Sequence, residues 1–394
     1  MNSRVKVPGS KSHTQRALIL AATATSPSII RDPSTGDDST ILVQLLRRSG
    51  VSIEERETTG CTELMVNPPA RLVLPPSVFS GDGASVARFL SPLTHFAGHE
   101  VTITGSQQLS ARPMGELGTA LTNAGFIITW SQRDGHLPLR ISGGFTTSEV
   151  TLTAATSSQH VSALLLAAPR LPRGLAINVV GPVVSRGYIT MTLQTMEQFG
   201  ILVATRDRGW CVPQSSFAGA IITMEPDWSL WPFVIIASHL KSRPCEPPPA
   251  RQADARFMEH WQRLLGSEPD LQIHLTDTPD LLPPLAVGAA LLERRVRFTG
   301  ISHAALKESD RLGVLVRELK KAGTEARFHD GVLALTAHHP SLGALNLCGE
   351  GDHRMIMALS LFALRQPVSM NDTGAVRKSW PGYFEEMKKV GLPW

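Results

Sequence analysis

The sequence predicts a mixed α/β or α+β protein built from six related units in two groups of three. One pattern recurs, in which a helix rich in Leu and Met ends at a glycine and a β-prone segment often follows. The glycines are, in chain order, Gly50, Gly125, Gly200, Gly266, Gly323 and Gly391. The first three are 75 residues apart, and such regular spacing indicates an internal repeat. Because helices and strands mix within each unit, layered α/β or α+β packing is favoured.

Each glycine follows its helix at the position where a left-handed residue closes a helix. Helices are predicted over Asp38–Arg48, Ser85–Ala97, Met114–Asn123, Ser158–Leu166, Ile189–Phe199, Ala255–Leu265, Ser309–Ala322 and His353–Leu364. Alternating apolar and polar residues predict strands over Val101–Thr104, Leu139–Ile141 and Val296–Thr299. We expect the domain boundary near Ala220–Glu225, so that residues 9–222 form one domain and residues 223–394 with 1–8 form the other. The Pro-rich residues 243–249 are predicted to form a loop.

Composition narrows the class of protein. The chain has 394 residues and is 42% hydrophobic, enough to bury a large core in two domains. Its four cysteines are far apart and form no Cys-x-x-Cys pair, which argues against a disulfide framework or a zinc site and favours the cytoplasm. We expect neither a signal peptide nor a membrane span. The net charge of +4 comes from dispersed basic residues, so small anions are favoured over nucleic acid as partners.

The segment Val7–Arg16 suits an anion. Pro8 and Gly9 break a short strand, and Ser12 is the predicted N-cap of a helix that carries Arg16 in its first turns. The free N–H groups and positive dipole of a helix N-terminus would then lie beside Lys11. Taken alone, the same residues also fit an ordinary capped helix with a solvated lysine.

Several polar and charged motifs lie between the apolar elements, where loops would present them. They are Gly81–Arg88, Ala111–Met114, Ser157–Gln159, Val184–Tyr188, Pro279–Asp280, Lys307–Arg311, Asp352–Met355 and Arg377–Pro381. Singly, most have an ordinary structural explanation: Lys307–Arg311 fits a solvated first helical turn, Ser157 with Ser158 fits a cap, and Asp352 fits a cap for the helix that follows.

In this order, however, the motifs resemble those of the 5-enolpyruvylshikimate-3-phosphate synthases, from Gly9 to about Phe384. The resemblance implies two domains, each of three βαβαββ units in the inside-out α/β barrel arrangement of the enolpyruvyl transferases, closing on substrates held between them. It also implies a reaction without metal or organic cofactor. The enolpyruvyl group of phosphoenolpyruvate passes to the 5-hydroxyl of shikimate 3-phosphate, and phosphate leaves.

The resemblance also assigns residues to roles. Asp280 is implied as the base, Glu308 as the proton donor, and Lys11 as a catalytic cation. The residues implied to bind shikimate 3-phosphate are Lys11, Ser12, Arg16, Ser157, Ser158, Gln159, Ser185, Tyr188, Asp280, His303 and Lys307. Those implied to bind phosphoenolpyruvate are Lys11, Ala84, Arg112, Gln159, Arg311, Arg354 and Lys378. Arginine suits such ligands because its planar fork pairs with carboxylates and phosphates.

The chain departs from the family pattern at several positions. Asp82 would repel bound anions unless an arginine neutralises it, and Arg88 is the candidate partner. His303 replaces an asparagine that contacts shikimate 3-phosphate, and Ala305 stands where an arginine usually precedes the Lys-Glu pair. Arg377 could restore that charge. These changes leave the principal catalytic residues in place.

Three other functions compete. The sister enzyme, UDP-N-acetylglucosamine enolpyruvyl transferase, shares the fold and the donor, but it carries Lys-Asn where this chain has Lys11 and Ser12. A non-catalytic paralogue that binds a phosphorylated cyclitol would explain the changes at residues 82, 303 and 305. Binding of RNA ends would need a clustered basic stripe, which the sequence lacks. For the transferase we expect a monomer.

Ala84 generates a testable prediction. It puts a methyl group where the family's glycine lets phosphoenolpyruvate and the inhibitor glyphosate approach the backbone, and an added methyl in a close-packed site costs about 1–3 kcal/mol. Reduced glyphosate sensitivity is expected, with sensitivity restored by Ala84→Gly. The measurement is the inhibition of phosphate release by glyphosate in the wild-type protein and in Ala84→Gly. Equal inhibition of the two proteins would contradict the prediction.

Overall fold

The computed structural model describes residues 5–58, 60–243, 245–339 and 343–394. The chain divides into two compact units, each with its own hydrophobic core. The first unit is Gly9–Glu225, and the second is Pro226–Trp394 with the described part of Met1–Pro8. Both units mix helices with strands, which confirms the predicted fold class.

The first unit has seven α-helices and twelve strands among its described residues. The helices are α1 Lys11–Thr23, α2 Asp37–Arg48, α3 Ala84–Leu93, α4 Gln107–Ser110, α5 Gly115–Asn123, α6 Gln159–Ala167 and α7 Arg186–Gln198. The strands are β1 Ser28–Arg31, β2 Ser52–Thr58, β3 Cys61–Asn67, β4 Ser77–Phe79, β5 Val101–Thr104, β6 Phe126–Trp130, β7 Leu139–Gly143, β8 Glu149–Ala154, β9 Leu175–Val183, β10 Ala204–Arg206, β11 Gly209–Val212 and β12 Ile221–Thr223.

These strands form three four-stranded sheets with one shared plan. The orders are β12-β1-β3-β2, β4-β5-β7-β6 and β8-β9-β11-β10. In each sheet the first two strands are parallel and the other pairs are antiparallel. Two sheets follow the βαβαββ order along the chain, whereas in the third sheet the last strand of the unit, β12, pairs beside β1. The repeat inferred from glycine spacing is therefore a repeat of sheets with their helices.

The second unit contains six α-helices and six strands among its described residues. The helices are α8 Trp231–Leu240, α9 Phe257–Leu265, α10 Leu282–Leu291, α11 Arg311–Lys321, α12 His353–Ser360 and α13 Tyr383–Lys388. The strands are β13 Gln272–His274, β14 Val296–Thr299, β15 Thr324–His329, β16 Val332–His338, β17 Leu345–Leu347 and β18 Val368–Met370. The sheet β13-β14-β16-β15 repeats the plan of the first unit, and β17 pairs with β18 in parallel.

Short 3₁₀ helices extend or connect these elements. They cover Thr94–Phe96, Ala168–Arg170, Ala253–Arg256, Pro279–Leu281, Ser302–Leu306, Leu361–Leu364 and Thr373–Lys378. Three of them account for the ends of predicted helices, because α3 and α12 each continue into a 3₁₀ turn and a 3₁₀ turn leads into α9. All eight predicted helices and the three strands predicted from alternation are present, with ends within a few residues of those expected. The prediction of a short strand before Pro8 is wrong, because residues 5–8 form no strand and Gly9 makes only an isolated bridge; Pro8 has no N–H to donate to a sheet.

Two ten-residue helices, α8 and α10, were not predicted, and neither was the four-residue α4. Every residue of α10 is buried, and so is nearly all of α8, so neither helix has the polar face that gives a 3.6-residue period. Prolines occupy the first turn of both helices, where no backbone N–H is needed. Burial on all sides thus removes the signal by which the other helices are recognised.

The prediction of Ser12 as the N-cap of α1 is wrong. The helix begins at Lys11, and Ser10 is the N-cap, with its Oγ accepting a hydrogen bond from the N–H of His13. Ser10 has non-helical backbone angles, with a φ of −57° and a ψ of 115°, and Ser12 lies within the helix. Because a cap must leave the helical conformation, Ser12 belongs to the first turn instead.

Five of the six repeat glycines have the predicted left-handed backbone. Their φ values are +91° at Gly50, +110° at Gly125, +72° at Gly200, +83° at Gly323 and +93° at Gly391. The prediction is wrong for Gly266, which is itself the C-cap of α9 with a φ of −71°. That helix therefore ends without the left-handed closure of the others.

Two further expectations concern particular segments. Within the described ranges, none of the helices has both the length and the apolar character needed to cross a membrane. In the predicted Pro-rich loop, residues 245–249 form neither helix nor strand, and Pro244 lies outside the described residues.

Candidate functional site

A cluster of charged side chains in the second unit gathers residues that are distant in sequence. Asp280 lies in the 3₁₀ turn before α10, and Arg354 lies in the first turn of α12. The Asp280 Oδ1 is 2.7 Å from Nη1 of Arg311 and 3.9 Å from Nζ of Lys307, and its Oδ2 is 3.3 Å from Nη2 of Arg354. Three cations therefore surround one carboxylate.

Arg311 is the centre of this cluster. Its side chain has no exposed surface, and its guanidinium donates to Oδ2 of Asp352 at 2.8 Å and to Oε2 of Glu308 at 2.8 Å, in addition to Asp280. A guanidinium can be buried only when such partners replace water. Its predicted contact with phosphoenolpyruvate stays a prediction, because these hydrogen bonds turn Nε and both Nη atoms toward carboxylates.

Asp280 is held in its ionised form. Burial raises the pKa of Asp280, but the positive charges of Arg354, Lys307 and Arg311 outweigh burial, and the resulting pKa is well below the usual value. Asp280 can therefore accept a proton from a neighbouring hydroxyl only when something offsets those charges.

Glu308 and His303 complete this side of the cluster. Glu308 lies 3.8 Å from Nζ of Lys378, which ends the 3₁₀ helix Thr373–Lys378. Burial, helped by the charge of Lys307, lowers the pKa of His303 to about 4, so its ring is neutral at pH 7. The ring is buried, and its Nε2 has no hydrogen-bond partner among the described residues. The structure thus brings all seven predicted residues of the second unit together.

In the first unit, the predicted residues gather at the N-terminal ends of helices. Lys11 is buried at the start of α1, with Nζ 2.9 Å from Oδ2 of Asp38 in the first turn of α2. The interpretation of Lys11 as a solvated lysine is therefore excluded. Ser12 follows in the same turn, and its carbonyl accepts a hydrogen bond from Nη1 of Arg16 at 2.7 Å.

Arg16 links α1 to α6 and α7. Its guanidinium donates to the carbonyl of Tyr188 at 3.1 Å and to hydroxyls of Ser162 and Thr192. Burial lowers the pKa of Arg16 to about 10, which still leaves it charged at pH 7. Ser185, which precedes α7, has a left-handed φ of +56°, and its carbonyl accepts from the N–H of Tyr188. The predicted contact of Arg16 with substrate stays a prediction, because these protein groups already bind most of its guanidinium.

The remaining predicted residues lie around α3 and α6. Ala84 is the first residue of α3, and Ser158 precedes α6, which begins at Gln159. Arg112 is buried, and the next residue, Pro113, accepts a hydrogen bond from Arg88 at its carbonyl. The same guanidinium reaches Ser157 and Gln159.

The expected pairing of Asp82 with Arg88 stays a prediction. Asp82 accepts a hydrogen bond from the hydroxyl of Ser106, and the hydrogen bonds described for Arg88 go to other groups. Ser106 is the N-cap of α4, so its hydroxyl both donates to Asp82 and accepts from the backbone of that helix.

Some residues that shape these clusters carried no signal of that role in the sequence. Asp352 was predicted only as a cap of α12, and its Oδ1 does accept from the N–H of Arg354 at 2.9 Å. It also binds Arg311, which is 41 residues earlier. Asp38 looked like an ordinary acidic residue of a first helical turn. In both cases the partner comes from another part of the chain, which periodicity does not reveal.

Together, the fold and these clusters describe an α/β protein suited to small, multiply charged anions and to proton transfer by buried carboxylates. The chain belongs to the family described as EPSP synthase (3-phosphoshikimate 1-carboxyvinyltransferase), whose model matches residues 1–243 and 254–387. The resemblance drawn from the motifs is thereby confirmed.

Individual relatives and solved structures agree with this assignment. A 3-phosphoshikimate 1-carboxyvinyltransferase of Methanothermobacter thermautotrophicus is 28% identical over 419 residues, covering 99% of this chain and 96% of the relative. One from Escherichia coli is 27% identical over 416 residues, covering 100% and 97%.

Solved structures show the same fold at lower identity. An EPSP synthase from Acinetobacter baumannii has a TM-score of 0.74 at 22% identity, covering 99% of this chain and 96% of that one. The enolpyruvyl transferase NikO from Streptomyces tendae has a TM-score of 0.73 at 16% identity, covering 99% and 95%.

The lowered pKa of Asp280 makes stability depend on pH. A carboxyl whose pKa is lower in the folded than in the unfolded protein stabilises the fold above the unfolded value of about 3.9, and this contribution disappears as the pH falls through the folded value. Asp280→Asn should therefore reduce the free energy of unfolding at pH 7, and its difference from wild type should narrow below about pH 4.

Urea denaturation between pH 7 and pH 3 measures this difference. Asp310→Asn is the control, because Asp310 is exposed and caps α11 by accepting from the N–H of Gly313, a role that Asn also fills. A difference for Asp280→Asn that stays constant across this range would contradict the assigned charge state.

Proposed function

We propose that this protein transfers the enolpyruvyl group of phosphoenolpyruvate to the 5-hydroxyl of shikimate 3-phosphate and releases phosphate. One observation carries the proposal beyond family membership. Two carboxylates, Asp280 and Glu308, bind the same buried guanidinium while lysines and arginines approach them from other elements. An addition and elimination reaction between two phosphorylated acids needs both kinds of group.

The cations match the charge of the substrates. Phosphoenolpyruvate and shikimate 3-phosphate each carry a carboxylate and a phosphate, and charge-assisted hydrogen bonds to such groups are the strong ones. We assign Arg112, Arg311, Arg354 and Lys378 to phosphoenolpyruvate. We assign Arg16 and Lys307, together with the neutral His303 and the serines, to shikimate 3-phosphate. Lys11 and Gln159 serve both substrates in this proposal.

In the addition step, Asp280 takes the proton of the 5-hydroxyl of shikimate 3-phosphate while the hydroxyl oxygen forms a bond to C2 of phosphoenolpyruvate. Glu308, which takes up a proton when the anionic substrates bind beside it, donates that proton to the methylene carbon, which gives a tetrahedral intermediate. Anionic substrates near Arg354 and Lys307 offset the charges that lower the pKa of Asp280, so binding itself makes Asp280 a stronger base.

In the elimination step, the bond from C2 to the phosphate oxygen breaks and a proton leaves the methyl group for Glu308. Lys11 stabilises the charge that develops on the departing phosphate. The atoms balance: the proton that Asp280 took from the acceptor hydroxyl passes to the released phosphate, Glu308 recovers the proton it gave, and the enolpyruvyl group regains its double bond. No oxidant or reductant is consumed.

The alternatives are less well supported. The relatives reported above are named as 3-phosphoshikimate 1-carboxyvinyltransferases, which does not favour UDP-N-acetylglucosamine enolpyruvyl transferase. A non-catalytic paralogue would have no need to keep both Asp280 and Glu308 on Arg311. A cytoplasmic location and a monomeric state stay predictions.

Assay of phosphate release with the two substrates tests the function and the roles together. Wild-type protein should release phosphate only when both substrates are present. Asp280→Asn and Glu308→Gln should each reduce kcat by about 10²–10⁴-fold, the usual contribution of a general acid or base, with little effect on the binding of shikimate 3-phosphate.

Asp310→Asn is the matched control, because it changes a neighbouring exposed acid outside the cluster. Wild-type protein that releases no phosphate would contradict the proposed function. Active wild-type protein with unchanged kcat in both variants would contradict only the assigned roles.

A further inference from the structure

Two segments of the first unit carry predicted substrate contacts, and one buried arginine joins them. Arg88 on α3 is 2% exposed. Its Nη2 donates to the carbonyl of Pro113 at 2.6 Å, next to Arg112, and its Nη1 donates to Oε1 of Gln159 at 2.6 Å and Oγ of Ser157 at 3.3 Å. A planar fork with fixed donors can hold such acceptors at a set separation.

A second bridge joins the same two segments. Glu116, in the first turn of α5, accepts from the hydroxyl of Thr156 at 2.7 Å and from Nδ1 of His160 at 3.0 Å. Burial raises the pKa of Glu116, but the hydrogen bonds from His160 and Thr156 outweigh burial and the pKa is lowered. Burial lowers the pKa of His160 to about 4, so a neutral ring donates to an ionised carboxylate.

The contacts of Arg88 also decide which way two polar side chains face. Because Oε1 of Gln159 accepts from Arg88, its amide nitrogen is turned away from the guanidinium. The Oγ of Ser157 accepts from both Arg88 and the N–H of Gln159, which uses its two lone pairs and leaves its O–H to donate. Phosphates and carboxylates only accept hydrogen bonds at neutral pH, so this orientation favours anions.

We propose that Arg88 and Glu116 are positioning residues, which together brace the Arg112 segment against Ser157–Gln159 and orient Ser157 and Gln159 as donors to the anionic substrates. The proposal rests on the proposed function only in naming those substrates. Neither residue contacts substrate in it, and both act through the residues they hold.

Steady-state kinetics of phosphate release test the brace, that is, the proposed positioning role of Arg88 and Glu116. Arg88→Met should raise KM for both substrates by about tenfold or more, since displacement of a positioned group by about 1 Å can cost up to 10²-fold. Arg88→Lys should recover part of this loss, because an ammonium can still donate to Gln159. In a Gln159→Ala background, Arg88→Met should raise KM for phosphoenolpyruvate less than threefold further, because coupled residues are not additive.

His160→Phe and Thr156→Val test the second bridge with side chains of similar size. Each should raise KM for phosphoenolpyruvate more than it lowers kcat. Arg47→Met is the control, because Arg47 also donates its guanidinium N–H groups to a backbone carbonyl, that of Ile53, but outside this region. Folded variants with wild-type KM values, or fully additive effects of Arg88→Met and Gln159→Ala, would overturn the proposal.

Amide hydrogen exchange separates failure of the brace from failure of the proposed function. Without any substrate, Arg88→Met should speed exchange in residues 112–116 and 156–160, whereas Arg47→Met should not. Inactive wild-type protein would contradict the proposed function alone. Unchanged exchange in both segments of Arg88→Met would overturn the brace whether or not the protein is active.

Discussion

The candidate site of the second unit depends on one buried guanidinium. Arg311 has no exposed surface and binds carboxylates of Asp280, Glu308 and Asp352 at 2.7–2.8 Å. Removing this cation would take from Asp352 the guanidinium that binds it and leave Asp280 and Glu308 with only the longer contacts to Arg354, Lys307 and Lys378, and removing an acid would leave a buried cation with one partner fewer. The cluster is therefore a single electrostatic unit, and its two candidate proton carriers are fixed relative to each other by their shared partner.

In the first unit, the groups placed to bind anions are different from those of the second unit. Except for Arg112, the predicted residues of the first unit lie at the starts of α1, α3, α6 and α7, where backbone N–H groups and the helix dipole favour anions. Arg16, Arg88 and Glu116 use most of their hydrogen bonds on protein groups near those helix starts. The buried charged side chains of this unit therefore position serines, backbone amides and Gln159, which are uncharged hydrogen-bond donors.

Much of the fold could be predicted from sequence because most helices have one buried face and an ending that glycine marks. Gly50, Gly125 and Gly200 each occur once in three successive sheet units, because each closes a helix just before the antiparallel strands of its sheet begin. The uniformly buried α8 and α10 lack that contrast. The choice between Ser10 and Ser12 as a cap depends on backbone angles that two nearby serines do not distinguish.

The candidate residues were found through the family motifs, but their partners were not. The motif Lys307–Arg311 taken alone fits a solvated turn, and its arginine is instead fully buried. That burial depends on Asp280 and Asp352, which lie 31 and 41 residues away in sequence. The pairing of Lys11 with Asp38 and of Arg88 with Gln159 follows the same rule, since only the packing of helices brings these residues together.

The kcat of Arg311→Lys tests most directly whether the guanidinium organises the reaction. Lysine keeps the charge but cannot bind three carboxylates in one plane, so we expect a fall of at least about 10²-fold in phosphate release. Arg317→Lys on the same helix is the control, because Arg317 is half-exposed and pairs with Glu318 and Glu350. A folded Arg311→Lys protein with the wild-type kcat would contradict the account.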